Sequence, residues 1–137
     1  MRPVVYWSFH DYVQGFNNPV EEWYSKSLSD AGRFQLDSLL KNVATTEQHI
    51  QWVGFKYLKG EPRTERIWQL DFLADGRQYR ALGVFGSIRR QAVLLVGCYH
   101  KGKTYTPPDA LDTAVKRAKN LREGRATTRE RKIKIDV

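Results

Sequence analysis

The chain alternates between stretches of strand-like and helix-like apolar spacing. The run 4-VVYWSF-9 is β-branched and aromatic and predicts a first strand. A turn at 15-GFNNP-19 follows. Asn18 suits a helix cap, Pro19 suits the first helical position, and Glu21 and Glu22 complement the positive end of the helix dipole, so a short helix is expected to about Leu28. A second helix is expected from Ser29-Asp30. Its apolar positions Phe34, Leu36, Leu39, Leu40 and Val43 keep helical spacing, and it should end before 44-ATTEQ-48. The basic, glycine- and proline-broken segment 52-WVGFKYLKGEPRTER-66 reads as a connection. Three strands then follow: 66-RIWQLDF-72, 77-RQYRALGVF-85 and 91-QAVLLVGCY-99. Asp75-Gly76 marks a tight hairpin between the first two, and the continuous apolar run of the last suits a central strand buried on both faces. A final helix is expected with Thr106 as its cap, Pro107 and Pro108 in its first turn, an apolar stripe of Leu111, Ala114, Val115, Ala118 and Leu121, and Gly124 at its end.

The resulting order is β-α-α-β-β-β-α. Strands joined as hairpins imply an antiparallel sheet, and the expected class is α+β with the helices packed on one side. At 137 residues the chain is read as one domain over 1–124, with a tail, 125–137, basic and polar until 133-IKI-135, that is either disordered or adds a short edge strand.

Charge changes this picture more than composition does. The net charge is +8, but residues 1–51 carry 4 Lys/Arg against 6 Asp/Glu, while residues 52–137 carry 19 against 9. A surplus held in one part of the chain makes a positive surface that attracts phosphates, favouring nucleic acid over acidic proteins as partner. The one cysteine, Cys98, lies among apolar residues, which favours a buried thiol over a nucleophile and excludes an internal disulfide. Three scattered histidines with that one cysteine have no metal-ligand spacing, so no metal and no cofactor is expected. No apolar run is long enough to span a membrane, and 1-MRPVVYWSFH-10 reads as a strand rather than a signal peptide. A soluble, cytoplasmic protein is expected.

Four segments in order carry a family resemblance: 58-LKG-60, 67-IWQLDF-72, 78-QYRALGVF-85 and 93-VLLVGCYHKGKTYTPPDALDTAVKRAK-119. Together they resemble the RelE/HigB superfamily of toxin–antitoxin toxins, in particular its phage-derived HigB-like branch, over roughly residues 55–122. The resemblance implies a RelE-like fold and a metal-independent endoribonuclease that cleaves mRNA, usually on the ribosome. It also implies an antitoxin partner, expected to be a small helix-turn-helix protein. Two positions depart from the family pattern. His100-Lys101 stands where Lys-Lys is expected, and Asp71 stands where Arg often ends the Trp-containing strand.

The reaction needs a base for the ribose 2′-OH, cations for the phosphorane-like transition state and an acid for the leaving 5′-oxygen. His100 is the acid/base candidate because its ordinary pKa lies near working pH; a loop histidine with no role is the plain alternative. Lys101 is assigned to clamp phosphate, and Arg80 to stabilise the transition state. An Arg80–Asp71 ion pair across the hairpin is the structural rival. Lys56, Lys59, Arg63, Arg66 and Lys103 are assigned to the RNA backbone and Tyr105 to base stacking, against the alternative of a solvated basic face. Tyr79, Tyr99 and the tryptophans Trp7, Trp23, Trp52 and Trp68 are better read as core, and His10 and His49 carry no assigned role. Two other readings stand beside the nuclease. One is a non-catalytic member of the same fold, a gyrase inhibitor as in the ParE branch or a phage regulatory binder; the other is an assembly protein.

Overall fold

The computed structural model describes residues 3–60 and 64–133. Its strands are β1 (Ser8–Val13), β2 (Phe55–Tyr57), β3 (Trp68–Ala74), β4 (Arg77–Phe85), β5 (Gln91–Lys101), β6 (Thr104–Thr106) and β7 (Thr127–Arg131). Its helices are α1 (Pro19–Lys26), α2 (Asp30–Ala44) and α3 (Ala110–Arg122), with a short 3-10 turn at His49–Gln51. The strands form one sheet in the order β2-β3-β4-β5-β1-β7, and β6 pairs with the end of β5. All neighbours are antiparallel except β1 and β5. The fold is α+β, as expected from the element order.

The local signals for the first helices hold at atomic level. Asn18 accepts a hydrogen bond from the Glu21 N–H at 2.9 Å, and Ser29 Oγ accepts one from the Gly32 N–H at 3.0 Å. Asp75 and Gly76 both have positive φ, 54° and 71°, as a two-residue hairpin turn requires. The third helix starts later than expected. Thr106 ends β6, and Asp109 takes the cap position without a side-chain hydrogen bond.

Two apolar layers flank the sheet. One includes Phe9, Leu36, Leu40, Val43, Trp68, Leu70, Phe72, Tyr79 and Ala81, and lies under α1 and α2. The other includes Tyr12, Ile67, Leu82, Leu95, Val96, Cys98, Ala114 and Ala118, and lies under α3. The helices therefore cover both faces, not one. The cause is the β5 run Ala92–Cys98, buried throughout, which offers an apolar surface on each side of the strand. Glycines set the approach on the α1 face: a Cβ on Gly97 would sit 2.0 Å from the ring of Trp23.

Two strand expectations are corrected. The first strand is Ser8–Val13, later than 4–9, and the segment read as a plain connection contains β2. The tail supplies an edge strand, one of its two expected states, at Thr127–Arg131; of 133-IKI-135, residues 134 and 135 lie outside the described residues. Trp7, Trp52 and Trp68 are buried in an aromatic cluster with Phe55 and Phe85, and His49 packs edge-on within it.

Candidate functional site

Cross-strand partners share a face of the sheet, and successive residues alternate between faces. Asp71 pairs with Arg80, Arg80 with Cys98, Gln78 with His100 and His100 with Tyr105. Asp71, Arg80, His100 and Tyr105 therefore sit together on the α3 face, beside the part of β4 and β5 that α3 covers. All four are half-buried.

Arg80 is the hub. Its Nη1 donates to His100 Nε2 at 2.9 Å and to Tyr105 Oη at 2.9 Å. Its Nε lies 3.2 Å from Asp71 Oδ1, yet that buried N–H makes no hydrogen bond of good geometry. Among the described residues Nη2 makes no hydrogen bond. The Tyr105 ring stands edge-on to His100 at 4.3 Å, with the guanidinium carbon 5.5 Å from its centroid. Behind Asp71, the buried Gln69 donates from Nε2 to Oδ1 at 3.1 Å and Oδ2 at 3.3 Å, while its own Oε1 is left without a partner.

Arginine only donates, so the contact fixes the state of His100. Nε2 accepts, and the proton of the neutral ring resides on Nδ1. The pKa of His100 is lowered, first by desolvation and then by the Arg80 charge; a backbone hydrogen bond at Gly102 and the Asp71 charge pull more weakly the other way. Burial pushes the Cys98 thiol up to about 12, and Sγ donates to the Arg80 carbonyl at 3.6 Å, so this cysteine is a packing residue.

The structure brings together only part of the set chosen from sequence. Arg80, His100 and Tyr105 meet. Lys101 does not, because β5 runs through Lys101 and alternation turns that side chain to the opposite face; this corrects its placement in a clamp with His100. Lys103 is exposed in the turn between β5 and β6. Lys56 pairs with Gln69 and so shares the face of Asp71, on the far side of β3 from Arg80. Lys59 and Arg66 line a separate cleft of about 560 Å³ with Tyr57 and Leu58. That cleft begins where Leu58 bonds to Ile67; four residues along β3 from Asp71 is roughly 13 Å. Arg63 lies outside the described residues. Sequence reasoning did not foresee Gln69 as the support of Asp71; a glutamine among apolar strand residues was the available signal. His10 Nε2 lies 3.0 Å from Ser8 Oγ.

Among the described residues no group of three or more His, Cys, Asp or Glu side chains comes together as a metal site would need, and no helix is long and apolar enough to cross a membrane. In comparisons with known proteins, the chain matches no family model, no curated protein and no solved structure.

Proposed function

We propose that the protein is a toxin of the RelE/HigB type, a metal-independent endoribonuclease that cleaves mRNA, with an antitoxin as its protein partner. The observation that carries this reading is the Arg80 hub, in which one guanidinium nitrogen serves both a neutral histidine and a tyrosine hydroxyl while Nη2 has no partner among the described residues and is available to an anion.

The chemistry follows from those contacts. A scissile phosphate taken up by Arg80 draws the guanidinium from His100 and bares the Nε2 lone pair. His100 Nε2 then accepts the 2′-OH proton as the O2′–P bond forms. Arg80 offsets the charge growing on the phosphoryl oxygens. The P–O5′ bond breaks, and the departing oxygen takes its proton from the Tyr105 hydroxyl or from water. The products are a 2′,3′-cyclic phosphate and a free 5′-OH. The exposed Lys56 and Lys103 hold flanking phosphates without reading sequence.

The test is induction of the wild type, His100→Ala and Arg80→Ala, reading growth and transcript integrity, with purified protein assayed on mRNA with and without ribosomes. Arrested growth and cut transcripts with the wild type, and neither with the variants, are expected. Intact transcripts with the wild type remove the nuclease.

One observation favours a second reading. Asp71 already lies 3.2 Å from Arg80 Nε and offsets its charge, as in a structural ion pair. On that reading the protein binds nucleic acid or a protein partner without cleaving. RNA binding with steep salt dependence and no cutting, with or without ribosomes, is its signature.

A further inference from the structure

Lys101, parted from His100 by strand alternation, is not alone on the opposite face. The last paired position of β4 and β5 is Gln78 with His100, so Arg77 faces Lys101 at the next step. Both belong to the face of Tyr79 and Tyr99. The Arg77 guanidinium carbon lies 4.7 Å from the centroid of the Tyr99 ring. Tyr99 is held in turn against Tyr79, which stacks on Phe72 at 5.2 Å. Arg77 is thus carried on a rigid aromatic ladder.

Lys103 occupies the turn joining the two faces, next to Gly102 with φ 64°. Arg77, Lys101 and Lys103 are all exposed, and none has a carboxylate within ion-pair distance among the described residues. Asp75, the nearest acid in sequence to Arg77, is engaged by Ser29 Oγ. The cations run Arg80 on one face, Lys103 on the tip, then Lys101 and Arg77 on the other face.

We propose that this tip is a two-faced phosphodiester grip: a single strand of RNA lying over Arg80 and His100 bends around the Gly102–Lys103 turn and seats its next phosphates on Lys101 and Arg77. The unneutralised cations Lys103, Lys101 and Arg77 on a narrow rib match a chain with a charge at every link, and the Tyr99 ring beneath Arg77 holds that guanidinium in place. The strand is single because a duplex, with a persistence length near 50 nm, does not turn around the edge of one sheet. The inference rests on the RNA reading above but concerns residues outside the proposed chemistry.

The experiment compares wild type, Arg77→Gln/Lys101→Gln and the charge-keeping Arg77→Lys/Lys101→Arg. Binding of a 2′-O-methyl RNA oligonucleotide is followed by fluorescence anisotropy against salt, with a matching duplex and a trinucleotide as further probes. The double glutamine variant is expected to lose about 1.4 from the salt slope of log K on the long single strand, at about 0.7 per phosphate contact released. It should bind the trinucleotide as the wild type does, and the charge-keeping variant should regain the slope. Equal slopes for wild type and the glutamine variant overturn the grip, and so does a duplex that binds with the same slope as the single strand. A wild type that cuts RNA with an unchanged slope in the variant leaves the nuclease standing and removes only the grip. A wild type that binds no RNA removes both.

Discussion

Two arginines of the sheet, Arg131 on β7 and Arg80 on β4, each lie against an aspartate, and their surroundings separate a structural cation from an available one. Arg131 and Asp11 have side chains only 9% and 5% exposed, and join through two contacts of 2.8 and 3.0 Å. Glu21 and Tyr24 close the other sides of the guanidinium, and Asn18 donates to Asp11 Oδ2 at 3.1 Å. Two carboxylates surround one cation, and its side chain is almost wholly covered. Arg80 is 17% exposed and Asp71 27%, joined by one 3.2 Å approach without hydrogen-bond geometry. Its other contacts are to neutral acceptors. The lesson is that an arginine–aspartate pair is not a single kind of object: the number of carboxylates and the donors left over decide whether it fastens the fold or waits for an anion.

The sharpest way to break this contrast is to remove a chemical group from each region. His100→Ala is expected to lower the rate of RNA cleavage by about 10²- to 10⁴-fold with little change in the urea midpoint, the range of a lost general base. A variant that cuts at the wild-type rate removes His100 from the chemistry.

Arg131→Ala should act in the opposite way. It strands the buried Asp11 and unfastens the edge strand, costing about 3–5 kcal/mol in equilibrium unfolding, as other broken buried pairs do. Arg80→Gln, by contrast, should cost only about 1 kcal/mol, the worth of ordinary hydrogen bonds. Equal losses in the two arginine variants would erase the distinction.

The α1 face gives a control free of charge. Gly97→Ala drives a Cβ into the Trp23 ring and is expected to cost about 1–3 kcal/mol of overpacking, without altering RNA affinity beyond the loss of folded protein.

Acidity separates the regions more gently. The folded pKa of His100 lies below its ordinary value, so the unfolded chain takes up this proton first as pH falls. The neutral His100 ring, kept so first by burial and then by the Arg80 charge, therefore contributes stability that is present above about 6.5 and lost as pH falls from there through the lowered folded value. Cleavage should share that acid limb, and His100→Ala should flatten this limb of the stability profile. An unchanged profile in the variant contradicts the assignment.

Much of the fold was legible because its signals are local. Asn18-Pro19, Asp75-Gly76 and the apolar run of β5 each state their structure within a few residues. Arg80 stood out as a charged residue in an apolar strand, and His100, read as a loop histidine after Tyr99, for an ordinary pKa near working pH. What escaped depends on register or distance. Whether Lys101 shares a face with His100 turns on two more residues of strand beyond Tyr99. The weight of Asp11 comes from Arg131, 120 positions away, and no pattern near either residue announces the other. The helices on both faces follow from β5 being apolar on both sides, a feature noted in the sequence as burial but not carried through to where α3 must pack.

The central claim is that Arg80 is held ready for a phosphate and releases His100 when it takes one. Nitrogen-detected NMR of the His100 ring, titrated with pH in the free protein and with a 2′-deoxy-blocked RNA bound, reads this directly. The account predicts that Nε2 loses its contact with Arg80 and that the His100 pKa rises in the complex, as the guanidinium turns to the phosphate and an anion stands near the ring. A His100 that titrates identically in free and bound protein would contradict it.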